Sequence, residues 1–316
     1  NYTDNTDTAY VSFKSTVKEY GFKMSDIHRL GKIKMLFGAD YDVYDYQSIR
    51  FSDKAITTVS YNPNNKNAKA AVLAQLQYTA DRFDVNAGAR FNYIAYKTEA
   101  DSLLNESGGN DNYQVITPSA GAQYRITQNL KAHSSFGTAF SVPDAFKMAG
   151  CYSISQYFPK WNYWYVKNYV GNPDLKPERS ATVDAGLNFS LPHRLLLVDL
   201  TYFQTNHKDK IIEYTKAKDT TSFKNANNSH MKGLELMLSS NLGALFNNTF
   251  TLELYVNYTQ MLENSVDVTL KTKSGTDSSV VQDLLYTRSS NGNFGVYFEN
   301  NEQFGFRFQG RYIGSR

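Results

Sequence analysis

Lys32–Val43 reads KIKMLFGADYDV. Ile33, Met35, Phe37, Ala39, Tyr41 and Val43 share one parity, and Lys32, Lys34, Leu36, Gly38, Asp40 and Asp42 share the other. Successive side chains of a strand point to opposite faces, so the segment predicts a strand with one apolar and one mostly polar face. The pattern recurs at Val72–Ala80 and at Phe83–Tyr93, where Val85, Ala87, Ala89 and Phe91 alternate with Asp84, Asn86, Gly88, Arg90 and Asn92. It returns at Leu130–Phe136, Val183–Ser190, Leu234–Leu238, Phe250–Thr259 and Phe304–Arg311. About twelve candidate strands emerge, many of roughly ten residues. Helical periodicity is sustained nowhere.

Composition agrees with neither a nucleic-acid binder nor a helical membrane protein. The 316 residues carry a net charge of +3, spread along the chain without a long basic block. Mean hydropathy is −0.50. No stretch approaches the ~20 consecutive apolar residues of a transmembrane helix, and residues 1–8 carry no apolar run of a signal peptide. The single Cys151 forms no internal disulfide. Aromatics reach 15%, with 24 Tyr and 20 Phe, more than a soluble core of this size uses.

The connections also alternate. Short turns fall at 30–32, 80–82, 127–129, 191–194, 241–248 and 299–303, and long polar loops at about 47–66, 98–112, 141–180, 208–222 and 262–289. Tight turns at one end and long loops at the other describe an all-β, antiparallel up-and-down transmembrane barrel, its apolar rows facing lipid and its polar rows facing the lumen. On this reading the even residues of 32–42 and 84–92 line the lumen. A soluble β-sandwich also alternates, but long strands, persistent aromatics on one parity and the two-ended loop pattern favour the barrel. An edge left open in lipid strands backbone groups at several kcal/mol each. Either the first and last strands pair, or the chain is part of a larger barrel.

Val170–Ser190, VGNPDLKPERSATVDAGLNFS, closely resembles a characteristic segment of the TonB-dependent outer-membrane receptors. LFGADYDVYDY, ITPSAGAQYRITQNLKAHSSFGTAFSVPDAF, LTYFQTNHKDKIIEY, NANNSHMKGLELML and FRFQGRYIGSR resemble other barrel segments of that family, in its order, so the likeness covers essentially the whole chain. The resemblance implies that residues 1–316 are a partial barrel: about twelve strands from the middle and later part of a barrel of about 22. It also implies that an N-terminal plug, a TonB box and the final strands are absent from this sequence. Its further implications are a bacterial, Gram-negative outer membrane, lipid contact, and engagement of the TonB complex through the missing N-terminal part. The activity implied is energised uptake of a ferric siderophore or other iron complex. Haem, cobalamin and oligosaccharide receptors of the family are the alternatives, with a passive porin and an adhesive barrel behind them.

Pro173 and Pro177 keep the return leg of the large loop extended. Turn chemistry accounts for Asn172–Glu178 without a ligand role, and Glu178 and Arg179 are expected near the rim. The loop before them holds both tryptophans of the chain. Tyr152, Tyr157, Trp161, Tyr163, Trp164 and Tyr165 are the candidate ligand-binding residues, with Lys147, Lys160 and Lys167 as the cations beside them. Ring faces, phenol hydroxyls and ammonium groups suit a flat anionic ligand such as a ferric catecholate or a porphyrin. An interfacial belt, or packing of the loop on itself, would use the same residues.

Haem receptors of the resembled family carry a Phe-Arg-Ala-Pro box and an Asn-Pro-Asp/Asn-Leu box with a histidine between them. Here Phe140-Ser141-Val142-Pro143 departs at two positions, Asn172-Pro173-Asp174-Leu175 matches, and no histidine lies between. Tyr also ligates haem iron. His28, His133, His193, His207 and His230 are scattered without metal-site spacing. No catalytic motif appears, so neither a metal, a resident cofactor nor an enzymatic activity is expected.

Overall fold

A computed structural model describes residues 2–3, 9–10, 13–53, 56–58, 62–99, 109–225, 228–246, 250–271, 277–284, 287–300 and 304–315. Two short strands, β1 (Tyr2–Thr3) and β2 (Ala9–Tyr10), pair with each other. The wall begins with β3 (Phe13–Leu30) and β4 (Ile33–Asp53), on which the short β5 (Ile56–Thr58) folds back. It continues with β6 (Asn65–Thr79), β7 (Phe83–Thr98), β8 (Gly109–Arg125) and β9 (Leu130–Ser141). Helix α1 (Ala145–Ala149) and a hairpin of β10 (Cys151–Phe158) and β11 (Tyr163–Val170) come next. The wall resumes with β12 (Glu178–Ser190) and β13 (Leu197–Lys208). A second hairpin, β14 (Ile211–Ala217) and β15 (Thr220–Asn225), precedes β16 (Asn228–Asn241) and β17 (Phe250–Lys271). Finally, β18 (Asp277–Asp283) folds back on β17 before β19 (Ser290–Asn300) and β20 (Gly305–Ile313).

The wall is one antiparallel sheet in the order β20-β19-β17-β16-β13-β12-β9-β8-β7-β6-β4-β3, each strand beside its predecessor. Twelve strands lie on this path, with β5 and β18 off it. This is the up-and-down order that the alternating turns imply. Tight turns close one end. Between β3 and β4 the chain reverses at Gly31, whose φ of 57° belongs to the left-handed region where a Cβ would be strained. Residues 301–303 and 247–248 of the expected turns lie outside the described residues, as do 54–55, 59–61, 100–108, 272–276 and 285–286 of the expected loops.

Face assignment follows the parity rule. Phe37 is 48% exposed and Val72 56%, on the outward face of the wall. On the other face Asp40 accepts a bidentate pair from Arg90 (2.6 and 2.7 Å), and Arg90 Nε donates to Asn92 Oδ1 at 2.8 Å. The bridge passes over β6, where the register places small Ala71 between Asp40 and Asn92. The expected lumen set of 84–92 is therefore the inner set.

The strands outrun the membrane. Ten residues at ~3.4 Å, tilted about 45°, rise ~24 Å, close to the ~25 Å apolar band of such barrels. Yet β4 spans 21 residues and β17 spans 22. Segments expected to be loops at 47–66, 141–180, 208–222 and 262–289 are in part strands. Ladders continue past the lipid because each added residue pairs its backbone groups. Ile94 and Tyr96 break the polar-inside pattern near the top of β7, and both are buried, at 5% and 3% exposure. Tyr96 packs with Ala145 and Met148 of α1, so the helix replaces water over that part of the wall.

Candidate functional site

The two long loops at 142–177 and 209–225 build one structure above the wall. In the order β10-β11-β15-β14 their strands form a separate four-stranded sheet. Local hairpins make its two halves. Residues 159–161 form a single 3₁₀ turn, ended by Asn162 in the left-handed region (φ 46°), and Asp219 (φ 57°) turns the second hairpin. The halves meet in a short parallel seam, Asn168 beside Thr220 and Tyr169 beside Thr221, with Asn168 N donating to Asp219 O at 2.7 Å.

Side-chain amides hold the base of this cap. Asn225 mimics a strand: its Oδ1 accepts from Lys176 N (2.9 Å), and its Nδ2 donates to Lys176 O (2.9 Å) and Asp209 O (2.6 Å). Asn172 donates to Phe223 O (2.9 Å), accepts from Asp174 N (3.0 Å), and its own N–H reaches Lys147 O (2.8 Å). Glu178 Oε1 accepts from Ile211 N at 2.6 Å. Gly171 lies against α1 so closely that a Cβ there would sit 2.6 Å from Ala149 N. The Asn172–Glu178 segment, expected to be a junction explained by turn chemistry alone, thus also ties one loop to the other. Asp144 caps α1 by accepting from Lys147 N at 2.8 Å, and Phe146 meets Phe223 edge-on with centroids 5.6 Å apart.

Replacing Asn225 with Ala removes three hydrogen bonds, each worth about 0.5–1.5 kcal/mol net. The expected result is faster amide exchange across 211–225 and 163–171 with protection of β6–β9 unchanged. Unaltered exchange at 211–225 would show that the amide does not join the loops.

The register separates the sequence-derived ligand candidates. Tyr152, Tyr163 and Tyr165 belong to one face of the β10–β11 hairpin, with Lys167 and Tyr169, while Tyr157 and Trp164 belong to the other. Trp161 lies in the turn, 67% exposed, with Lys160 Nζ 5.7 Å from its ring centroid. On the second face Tyr157 and Trp164 lean together at 5.0 Å, and Tyr157 Oη donates to Asn162 Oδ1 at 2.8 Å. The six residues therefore do not converge on one point. The first face is the more chemically varied. Lys167 Nζ lies 4.7 Å from the Tyr169 ring centroid. Its ammonium is held above its ordinary range, first by the hydrogen bond to Tyr169 and further by the charges of Tyr169, Glu213 and Tyr165. Glu213 comes from the other loop, on the β14 face that carries Thr215 and, across the pair, Phe223. Tyr169, Thr221 and Phe223 share one face through the seam register, and Phe223 on it meets Phe146 of α1.

Sequence reading missed Glu213 and Asn225 as members of the cap. Only a pairing across about fifty residues of chain brings them to it, and no local signal encodes that pairing. Among the described residues no group of three or more His, Cys, Asp or Glu side chains is arranged to hold a metal ion. His133 lies on the lumen face with Nε2 3.2 Å from Asp199 Oδ2, and His230 Nδ1 is 2.8 Å from Asn206 Oδ1.

The family model described as "TonB dependent receptor-like, beta-barrel" matches residues 1–316. No curated protein matches the chain. Among solved structures, a double mutant of the Serratia marcescens hemophore receptor HasR, in complex with its hemophore HasA and heme, is similar with a TM-score of 0.69 at 14% identity. That match covers 95% of this chain and 52% of the other. The copper transporter OprC has a TM-score of 0.65 at 14% identity, covering 92% and 41%. A Q482A mutant of the ferric enterobactin receptor PfeA from Pseudomonas aeruginosa, in complex with enterobactin, has a TM-score of 0.63 at 15% identity, covering 98% and 43%. The chain thus spans about half or less of the length of these proteins, and at such identities the likeness establishes the fold.

Proposed function

Because the chain belongs to the TonB-dependent receptor-like β-barrel family, we propose that it forms part of the wall and mouth of an outer-membrane receptor that takes up a ferric siderophore. Family members are outer-membrane receptors and transporters rather than enzymes. The observation that carries the substrate reading is the tyrosine face of the cap. Tyr163, Tyr165 and Tyr169 share it with Lys167, and through the seam it continues to Phe223, which meets Phe146 of α1. Tris-catecholate iron complexes are anionic and present flat rings. Stacking on tyrosine and attraction to an ammonium group each contribute about 0.5–2 kcal/mol, more where water is excluded. Two of the similar structures hold heme with a hemophore and enterobactin, which keeps both iron-ligand classes in view. Haem ranks second here because no histidine lies between Phe140 and Leu175.

A plug within the lumen, coupled to the TonB complex in the inner membrane, would move the ligand inward. The Arg90–Asp40 side of the lumen wall would then face that plug.

The test uses the full-length receptor and intrinsic-fluorescence titration with a ferric catecholate and with haem. Replacing Tyr163, Tyr165 and Lys167 by Ala is expected to weaken catecholate binding about 10-fold or more, from the loss of ~1.5–3 kcal/mol. Replacing Tyr157 and Trp164, on the opposite face, is expected to leave affinity unchanged. Equal dissociation constants for the parent and the first variant would end the catecholate reading, and tighter binding of haem than of catecholate would exchange the two substrates.

A further inference from the structure

We propose that Gly233 and Gly295 are positioning residues for transport: lacking side chains, they let the inward Phe203 and Tyr255 lie flat on the lumen wall and keep the lumen clear at mid-membrane height. The proposal rests on the uptake reading above and deepens it. It concerns passage through the lumen and is separate from ligand capture at the cap.

One register row fixes the faces. Asn86, Gly121, Ser135, Asp184, Phe203 and Gly233 lie side by side from β7 to β16. Asn86 lines the lumen, so Phe203 and Gly233 line it too. Tyr255 on β17 lies opposite Ser239, which has the inward parity of Gly233, and opposite Gly295 on β19. Each ring thus meets a glycine directly across the ladder. A Cβ on Gly233 would lie 2.8 Å from Phe203 Cζ and 2.9 Å from its Cε1. A Cβ on Gly295 would lie 2.6 Å from Tyr255 Cζ and 2.7 Å from its Oη. Real Cβ atoms do not come so close, so each ring fills the space that another residue's Cβ would take. Both rings are half-buried although they face the lumen, and the two glycines beneath them are buried. A glycine inside a strand weakens it and marks a place where another group approaches closely. Here that group is a ring, whose face keeps its dispersion contact with the wall. His133 lies the same way over Gly186, whose Cβ would be 2.7 Å from His133 Cε1. It thereby reaches Asp199 on the strand beyond.

Height gives the two contacts their role. Phe203 stands six residues above Leu197, and Tyr255 five above Phe250, at the short-turn ends of their strands. Along tilted strands this is ~12–14 Å, the middle of the ~25 Å apolar band. Anything that moves inward from the cap passes this level. Higher on the wall a charged side chain uses the same device, where Arg90 crosses the small Ala71 to reach Asp40. A methyl group at 233 or 295 removes the resting place of the ring. The ring must then take another staggered rotamer, and the free space beside it is the lumen. The two sites differ in what else a Cβ meets. At Gly295 the three nearest atoms all belong to the Tyr255 side chain, whereas at Gly233 the backbone oxygen of Gln260 is also 2.5 Å away. Gly295 is therefore the cleaner test.

The experiment uses the full-length receptor. It compares cellular uptake of radioactive iron, supplied as a ferric catecholate, with binding of the same catecholate by fluorescence titration. Gly295→Ala is expected to lower the uptake rate about 10-fold while the dissociation constant stays within about 2-fold of the parent's. Gly295→Ala/Tyr255→Ala is expected to bring uptake back to within about 2-fold of the parent, because no ring remains to stand off the wall. Gly233→Ala and Gly233→Ala/Phe203→Ala are expected to follow the same pattern. Parental uptake by Gly295→Ala would overturn the proposal. So would equal losses in the single and double variants, which would place the effect in the backbone. Should Gly295→Ala not assemble, a Cys151→Ser/Tyr255→Cys receptor decides, measured before and after labelling with a bulky maleimide. The label is expected to block uptake, and unchanged uptake would overturn the proposal. Failure of the parent to bind the catecholate would strike the substrate reading alone. A structure of the Gly295→Ala receptor then decides this one, and a Tyr255 ring still lying over residue 295 would end it.

Discussion

Arginine at Val72 destabilises the folded barrel by about 2–4 kcal/mol, and arginine at Phe37 by less, because Asp26 stands opposite it. Both residues face outward, and both sit roughly 10–14 Å above the short turns, near the middle of the apolar band. A guanidinium at Val72 loses its water and finds no partner on the lipid side, because its outward neighbours across the ladder are Ala39 and Phe91; at Phe37 the neighbours are Ala74 and, on β3, Asp26, whose carboxylate offsets part of the cost. The same change at Val85 is expected to cost only about 0–1 kcal/mol, since Val85 is two residues above the turn and its arginine reaches the interface. At Asn86, which lines the lumen, the change is expected to be mild. Urea titration of the full-length barrel in lipid bilayers measures all four. Equal losses at Val72 and Asn86 would reverse the assignment of faces.

The second expected result concerns the bridge inside the wall. Asp40 is 12% exposed and Arg90 36%, so the pair is partly screened by water and a full buried-pair penalty does not apply. Removing Asp40 still leaves Arg90 without its bidentate acceptor, and Asn92 Oδ1 remains as the recipient of Nε alone. Asp40→Ala is expected to lower unfolding free energy by about 1–2 kcal/mol. Arg90→Met in the same chain is expected to restore part of that loss, because no unpaired guanidinium remains. A double-mutant cycle in bilayers checks it. Strict additivity of the two substitutions would show that the bridge contributes nothing. Asp40 is therefore not the neutral lumen position that parity alone suggests. Parity places it inside, and only the geometry shows that it is engaged.

That distinction runs through the molecule. The alternation in Lys32–Val43 was enough to assign its two faces, because strand side chains have a fixed period of two and one parity must meet lipid. Turn positions were legible for the same reason: where the alternation stops and restarts within a few residues, only a tight reversal fits. The upper ends of the strands were not legible. Past the lipid, polar residues occupy both parities, so β4 continues to Asp53 through a segment whose composition looks like loop.

The cap shows the limit most clearly. The concentration of Tyr and Trp at 152–165 is legible in the sequence, since aromatic content is a local property. It could not divide Tyr163 and Tyr165 from Tyr157 and Trp164. That division depends on the hairpin register, and in a stretch aromatic on both parities no pattern reveals it. Nor could it find Glu213 or Asn225, which reach the site through a parallel seam linking Tyr169 to Thr221.

The sequence by itself therefore determined the strands, their two faces, the order of the wall and the family, all of which rest on short-range periodicity and segment likeness. The tertiary structure alone decided the Arg90–Asp40 bridge across β6, the joining of two loops into one sheet by Asn172 and Asn225, and the laying of the Tyr255 ring over Gly295. Each of these is a contact between residues about thirty to fifty positions apart. Such contacts depend on which strands become neighbours and in what register, and neither is written in the local alternation of either partner.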